Sequence, residues 1–311
     1  MSASSDRSPE GTSRDGTLEL RAADTILRID PIVGGRIASL VVDGNELLVT
    51  EGYGPIEWGC YPMAPFAGRI RDGRFAFRGR TYALERNMPP NAIHGTVFDR
   101  AWNVVTRDAD RVTLAIDLGA GWPFAGRARQ SFALAPDRLE ASLEVEADEP
   151  MPAWLGWHPW FRRNLAGTAT DPRPRSPGVV LDVPAAGMYE RGPDGLPTGA
   201  IVEPRPGPWD DAFVDLARPP RLRWPGMLTM EISSTAGVWV VFDERPDKVC
   251  VEPQTAPPDA VNLPGDAVPI AEPGQPVSIA MTWRWSRPNE PWPRAGSGPR
   301  RAAGRRARRR R

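Results

Sequence analysis

From residue 17 onward, apolar and polar positions alternate with a period of two through TLELRA, TILRID, RIASLVV, RVTLAIDL, RLEASLEVE, LTMEIS, VWVVFD and VSIAMTWRW. A strand turns successive side chains to opposite faces, so this period predicts half-buried β-strands. Helical spacing is hard to find. Thirty-six prolines and thirty glycines punctuate the segments, and proline is confined mostly to loops, edges and strand starts. The pattern therefore predicts an all-β chain of short antiparallel strands, a sandwich or a barrel. The run RDGRFAFRGRTYALE adds a D-G turn signal at Asp72-Gly73 and a second tight turn near Arg78 to Arg80 linking two alternating runs. No fixed-period repeat is visible. VGGRI at 33–37 follows a strand but opens another β-segment, unlike a phosphate-binding glycine loop.

The pattern divides the chain into a disordered segment 1–16, one sandwich domain 17–286 and a disordered arginine-rich tail 287–311. Within the domain, residues 162–210 offer few apolar positions and read as loop; long loops on a β-scaffold commonly wall a binding site. The 311 residues hold 39 basic and 39 acidic side chains, but Arg294 to Arg311 carries nine arginines and no acid, leaving 30 against 39 elsewhere. An acidic body argues against nucleic-acid binding by the fold itself, which would need a basic stripe. Lys248 is the only lysine, which reads as a coding bias. Two cysteines, Cys60 and Cys250, suit neither a disulfide framework nor a four-ligand zinc site. The N-terminal residues have no apolar signal region, and nothing approaches the roughly 18 apolar residues of a membrane span. The expectation is a cytoplasmic protein without membrane contact, a monomer or weak dimer.

The two histidines are the first candidates for chemistry. His158 lies in WLGWHPWF, where alternation puts Trp154, Gly156 and His158 on one strand face and Leu155 and Trp157 on the other. His94 lies in NAIHG, beside a glycine that permits close approach. Either could be a structural histidine with one satisfied hydrogen bond. Aromatic rings beside a polar tip are also what a sugar pocket needs, because a pyranose presents C–H faces and hydroxyls together. In DKVCVEPQTAPPDAVN, Glu252 follows an alternation of Val249 and Val251 with Cys250, and Pro253 would end the strand there. A carboxylate at that place is a candidate general base or a solvated strand end. Arg69 follows Gly68 in a proline-rich loop and could hold hydroxyls or a salt bridge. Asp210 or Asp211 in WDDAF could face a ligand or form a turn. His94, His158 and Glu252 form a chemically reasonable zinc set, but the usual local spacing of two histidines is missing, so neither metal nor cofactor is expected. Serine hydrolase chemistry lacks a G-x-S-x-G.

In order, GGRIASLVVDGNELL, PFAGRIRDGRF, NAIHG, GWHPWF, WDDAF and VCVEPQTAPPDAVN resemble the aldose 1-epimerase (mutarotase) family over roughly residues 20 to 285. The resemblance implies a large two-sheet antiparallel β-sandwich of the galactose mutarotase-like supersandwich type, with a free sugar as its small-molecule partner. It implies isomerase activity that interconverts the α and β anomers of an aldose such as glucose or galactose. In that likeness Glu252 is the general base toward the anomeric hydroxyl, and His158 the general acid toward the ring oxygen. His94 assists near the ring oxygen, while Arg69 and Asp210 position the sugar, with Asp211 as a one-residue alternative to Asp210. The chain departs from the family pattern at Gly68, where an asparagine is common, and at Arg162-Arg163 after HPWF. The two arginines could favour an anionic sugar or simply pair with acids. The competing readings are a non-catalytic sugar-binding module and a glycoside hydrolase, which needs two carboxylates roughly 5 to 10 Å apart.

Overall fold

Each of the eight alternating segments is a strand, from Leu18–Ala22 to Val277–Ser286, in the computed structural model, which describes residues 16–165, 178–265 and 268–288. They lie in two large antiparallel sheets. The first orders Leu18–Ala22, Thr25–Asp30, Arg36–Val42, Cys60–Met63, Gly156–Pro159, Lys248–Gln254, Val238–Phe242, Asp210–Leu216, Ala185–Arg191 and Pro197–Val202. The second runs from Asn103–Arg107 through Arg138–Ala147 and Val277–Ser286 to Val180–Asp182. No α-helix occurs among the described residues, only two single 3₁₀ turns. The fold is an all-β antiparallel sandwich.

Alternation explains the core. In Arg138–Ala147 the leucines, valine and alanines are buried while the glutamates point away. The same face of Val277–Ser286 adds Ile279, Met281 and Trp283. These pack against the inner face of the first sheet, where Phe161 meets Trp283 with ring centroids 5.0 Å apart. Burying such large rings supplies the main drive for closing one sheet on the other.

Two expectations are corrected and a third is made more exact. The stretch 162–210 is not loop throughout: it contains Val180–Asp182, Ala185–Arg191 and Pro197–Val202. Two of these end the first sheet and one ends the second. Few of their side chains are buried, so they leave little apolar alternation to read. The turn at Asp72-Gly73 is a 3₁₀ turn: Arg69–Ile70 before it pairs with Ala92–Ile93, and the tight turn expected near Arg78 to Arg80 closes the hairpin between Arg74–Phe77 and Arg80–Ala83. Its turn residues Arg78 and Gly79 both have positive φ, as a tight two-residue hairpin turn requires. Finally, Glu252 is inside its strand, because Lys248–Gln254 continues through Pro253. That proline is tolerated because the strand pairs with its neighbour at Gly156↔Gln254 and again at Phe161↔Val249, with no pair between. A missing N–H costs little where no ladder bond is made. The segments 1–15 and 289–311, which hold almost all of the two ends expected to be disordered, lie outside the described residues. Arg287 is tied to Asp43 by two hydrogen bonds, so the ordered chain reaches at least that far.

Candidate active site

The strand Lys248–Gln254 is the floor of a cleft. Its valines and Pro253 alternate with Lys248, Cys250, Glu252 and Gln254, and all seven residues are buried. Register carries the second face across the sheet: Glu252 lies opposite Val240 and Val240 opposite Ala212, while Cys250 lies opposite Phe242 and Phe242 opposite Asp210. Glu252, Val240, Phe242 and Asp210 thus line one cavity with Arg69, His94, His158 and Trp160. The Ala185–Arg191 and Pro197–Val202 hairpin contributes Tyr189, Arg191 and Pro197 to the opposite wall.

His158 enters from the neighbouring strand, where it pairs with Tyr61. Tyr61 stacks on the imidazole at 4.8 Å and Trp160 lies 4.9 Å from it. These two rings are the aromatic wall. Trp154 and Trp157 are fully buried, and Trp154 donates to the Ala67 carbonyl. The shared face expected for Trp154 and His158 fails because the strand begins only at Gly156. His94 approaches from a loop, its ring edge-on to His158 at 5.0 Å. It is held at φ 62°, a left-handed conformation that costs a non-glycine residue about 1 kcal/mol or more, and its N–H is anchored on the Gly68 carbonyl. Next to it, a side chain on Gly95 would lie 2.0 Å from the Ala64 carbonyl oxygen, so only glycine lets this loop close on the sheet.

Glu252 Oε1 lies 3.2 Å from His158 Nε2, and Oε2 accepts from Gln254 Nε2 at 3.1 Å. Burial displaces the two groups in opposite senses. It pushes the Glu252 carboxyl well above the usual range, helped by the nearby Asp210 charge, and takes His158 down to about 3, helped by Arg69, Arg36 and Lys248. His94 is also held well below its usual value, by burial first and then by His158 and Arg69. Both displacements favour the uncharged form of the group concerned.

Arg69 Nη1 stands 3.7 Å from Asp210 Oδ2, a long ion pair between two partly exposed side chains that both line the cleft. Asp211 differs: it is fully buried and bound by Arg191 and Arg205. Of the two acids, Asp210 shares the Glu252 face. Arg162 and Arg163 do not line the cleft. Arg162 donates to the Leu48 carbonyl and Thr50, and Arg163 to the carbonyls of Arg245 and Asp243. The case for an anionic sugar made from those two arginines therefore falls.

His158, Cys250 and Glu252 each offer a ligand atom within 4.8 Å of the others, a set that differs from the histidine pair considered on sequence. Of the carboxylate oxygens, Oε1 lies beside His158 and Oε2 accepts from Gln254, and burial first and then Glu252 hold the Cys250 thiol well above its usual range. Cys60 and Cys250 are both free and buried.

Sequence reasoning missed Tyr61, Trp160 and Gln254 as parts of this site. One of them carried a readable signal, since Gln254 continues the two-residue period of Cys250 and Glu252. Tyr61 carried none, because it faces His158 through a pairing some hundred positions apart in the chain.

The comparisons agree with this architecture. The chain is 27% identical to the uncharacterized protein YphB of Escherichia coli (strain K12) over 255 residues, covering 72% of this chain and 83% of that one. It is 29% identical to the human galactose mutarotase over 176 residues, 51% of each chain. Among solved structures, it resembles a galactose mutarotase-like protein from Clostridium acetobutylicum with a TM-score of 0.74 at 19% identity, covering 87% of this chain and 95% of that one. A galactose 1-epimerase from Lactobacillus acidophilus NCFM superposes with a TM-score of 0.70 at 17% identity, covering 87% and 93%. Residues 31–261 match the sequence model of the family Aldose 1-epimerase, and with a match over that much of its length the chain belongs to the aldose 1-epimerase family.

Proposed function

We propose that this protein interconverts the α and β anomers of a free aldose, a hexose such as glucose or galactose, by acid–base ring opening. The observation that carries the reading is the Glu252–His158 pair, 3.2 Å apart on a cleft face. Opening a hemiacetal takes a proton from the C1 hydroxyl while another is delivered to the ring oxygen, so it needs one empty and one loaded group. A single proton transfer from Glu252 to His158, across the 3.2 Å between them, arms the pair. Glu252 then removes the C1 hydroxyl proton, the C1–ring oxygen bond breaks as the carbonyl forms, and His158 protonates the departing oxygen. After rotation about C1–C2 the ring closes on its other face with every proton step reversed. His94 donates near the ring oxygen, and Arg69 with Asp210 holds sugar hydroxyls. Tyr61 and Trp160 keep the imidazole in its plane. No cofactor is needed, since the substrate is neither oxidised nor reduced.

The test is the approach of fresh α-D-glucose and α-D-galactose to anomeric equilibrium, followed by polarimetry against a buffer blank. Wild type accelerates it, and Glu252→Gln loses at least about 100-fold, the contribution expected of a positioned proton-transfer group. Wild type matching the blank for both sugars sinks the reading. Sugar binding that survives without turnover would identify a binding module, and release of sugar from glycosides a hydrolase.

A further inference from the structure

The cleft floor places an amide where the fold alone does not call for one. Gln254 is fully buried and lies two residues beyond Glu252, on the same face of the floor strand. Its Nε2 donates to Glu252 Oε2 at 3.1 Å, while its Oε1 has no partner among the described residues. A buried acceptor without a partner disfavours folding, so an apolar side chain of the same length would suit stability as well or better. Turned over, the amide would set its oxygen against the carboxyl and aim its N–H₂ away from its acceptor, so the contact itself fixes which end faces Glu252. The packing around Gln254 is built to hold it. Its backbone pairs with Gly156 on one side and Val238 on the other. A Cβ on Gly156 would lie 2.9 Å from Gln254 Cγ and 2.8 Å from the Pro253 carbonyl oxygen. Gly156 does not have a positive φ, so the glycine is there for room and not for its backbone. It begins the strand that carries His158, two residues before it on the same face. The strands bearing Glu252 and His158 therefore make their tight approach at Gln254.

We infer that Gln254 is a positioning residue for Glu252, its amide holding Oε2 so that Oε1 is turned to His158 and to the sugar. This rests on the role proposed for Glu252 as the base. A glutamate carboxyl turns about its last bond in broad, two-fold wells, so burial does not by itself choose which oxygen points where. A donor on one oxygen does. Here the two oxygens have separate partners, Gln254 Nε2 at 3.1 Å and His158 Nε2 at 3.2 Å, and no other side chain among the described residues bonds to the carboxyl. During ring opening His158 serves the ring oxygen, which leaves Gln254 as the fixed contact that holds the base throughout. The same N–H favours a carboxylate over a carboxylic acid, the form that takes the C1 hydroxyl proton.

The test compares full-length wild type with Gln254→Met, which keeps the length of the side chain and removes the amide. Gln254→Leu carries the test where the Met variant does not fold. Crystal structures give the position of Glu252, polarimetry of α-D-glucose and α-D-galactose gives kcat and KM, and calorimetry gives the melting temperature. In the variant, Glu252 Oε1 is expected to leave hydrogen-bond reach of His158 Nε2. The value of kcat falls about 10-fold or more while KM stays within about twofold of wild type, and the melting temperature does not fall. That split belongs to a residue that acts on the reacting group and not on sugar binding. A Glu252 carboxyl that stays in place in the variant, an unchanged kcat, or a KM that rises in place of the loss in kcat overturns the inference. So does a loss of rate that only follows a loss of folded protein. If wild type accelerates neither sugar, the proposed reaction has failed, and the two crystal structures still decide whether the amide holds Glu252.

Discussion

Glu252 and His158 are held against their solution preferences, and that has consequences for stability as well as chemistry. The Glu252 carboxyl is raised above its unfolded value of about 4.3, so its contribution is fully present below that pH and is lost as pH rises through the higher folded value. Glu252→Gln, a neutral isostere, is therefore expected to melt above wild type at pH 8, by about 1 kcal/mol or more, and level with it at pH 4. Thermal unfolding at both pH values checks this, and the variant that is most stable at pH 8 is the one without turnover. The histidine signs run the other way. His158, lowered from about 6.5 to about 3, stabilises the fold above its unfolded value, and that contribution disappears as pH falls through this window. His94 behaves likewise. For activity, the pair must hold one proton, so the rate is expected to be flat near neutrality. It falls in acid as His158 is charged while Glu252 is still protonated, and in alkali as Glu252 loses the shared proton.

Among the elements, the loop that carries Arg69 and meets His94 shows how a departure from the family pattern is accommodated. Gly68 has φ 69°, and a side chain there would lie 2.8 Å from the ring of Pro258. Its carbonyl accepts from the His94 N–H, so the same residue fastens the two loops. Gly68→Asn is expected to cost about 1 to 3 kcal/mol in a denaturant titration, mostly from the Pro258 contact because asparagine tolerates the left-handed region. Pro258→Gly in the same chain should return part of it, a coupling that independent sites would not show. The floor strand makes the complementary point. Its gap in pairing beside Pro253 falls between Gly156↔Gln254 and Phe161↔Val249, which is where Glu252 and His158 face one another.

For the whole molecule, two sheets bury one continuous core, and the cleft lies on the other face of the first sheet, where a second, smaller apolar cluster of Ala212, Val238 and Val240 packs with Tyr189. The floor strand's inner face belongs to the large core, so packing holds Glu252 and Gln254 while leaving their side chains to the cleft. The arginine-rich end makes no contribution to this arrangement through any described residue beyond Arg287, which pairs with Asp43 on the surface. Truncation after Arg287 is expected to leave the mutarotation rate and melting temperature within error of wild type, read by polarimetry and calorimetry. A large loss of turnover would give the tail a part in the site.

Alternation along the chain was enough to determine the eight principal strands and the all-β class, because a two-residue period is a local property of any strand with one buried face. Residue chemistry raised His94, His158, Glu252, Arg69 and the pair Asp210-Asp211 as candidates, and the family resemblance selected among them; all of them line one cleft. Only the tertiary structure decided which tryptophans touch His158, that Asp210 and not Asp211 shares the Glu252 face, and that Arg162 and Arg163 serve backbone carbonyls. It also revealed edge strands that have no buried face to betray them, and turned a lone lysine from a compositional oddity into a neighbour of Trp160. These depend on pairings between positions far apart in the chain, which strand register and burial set together and no local pattern encodes.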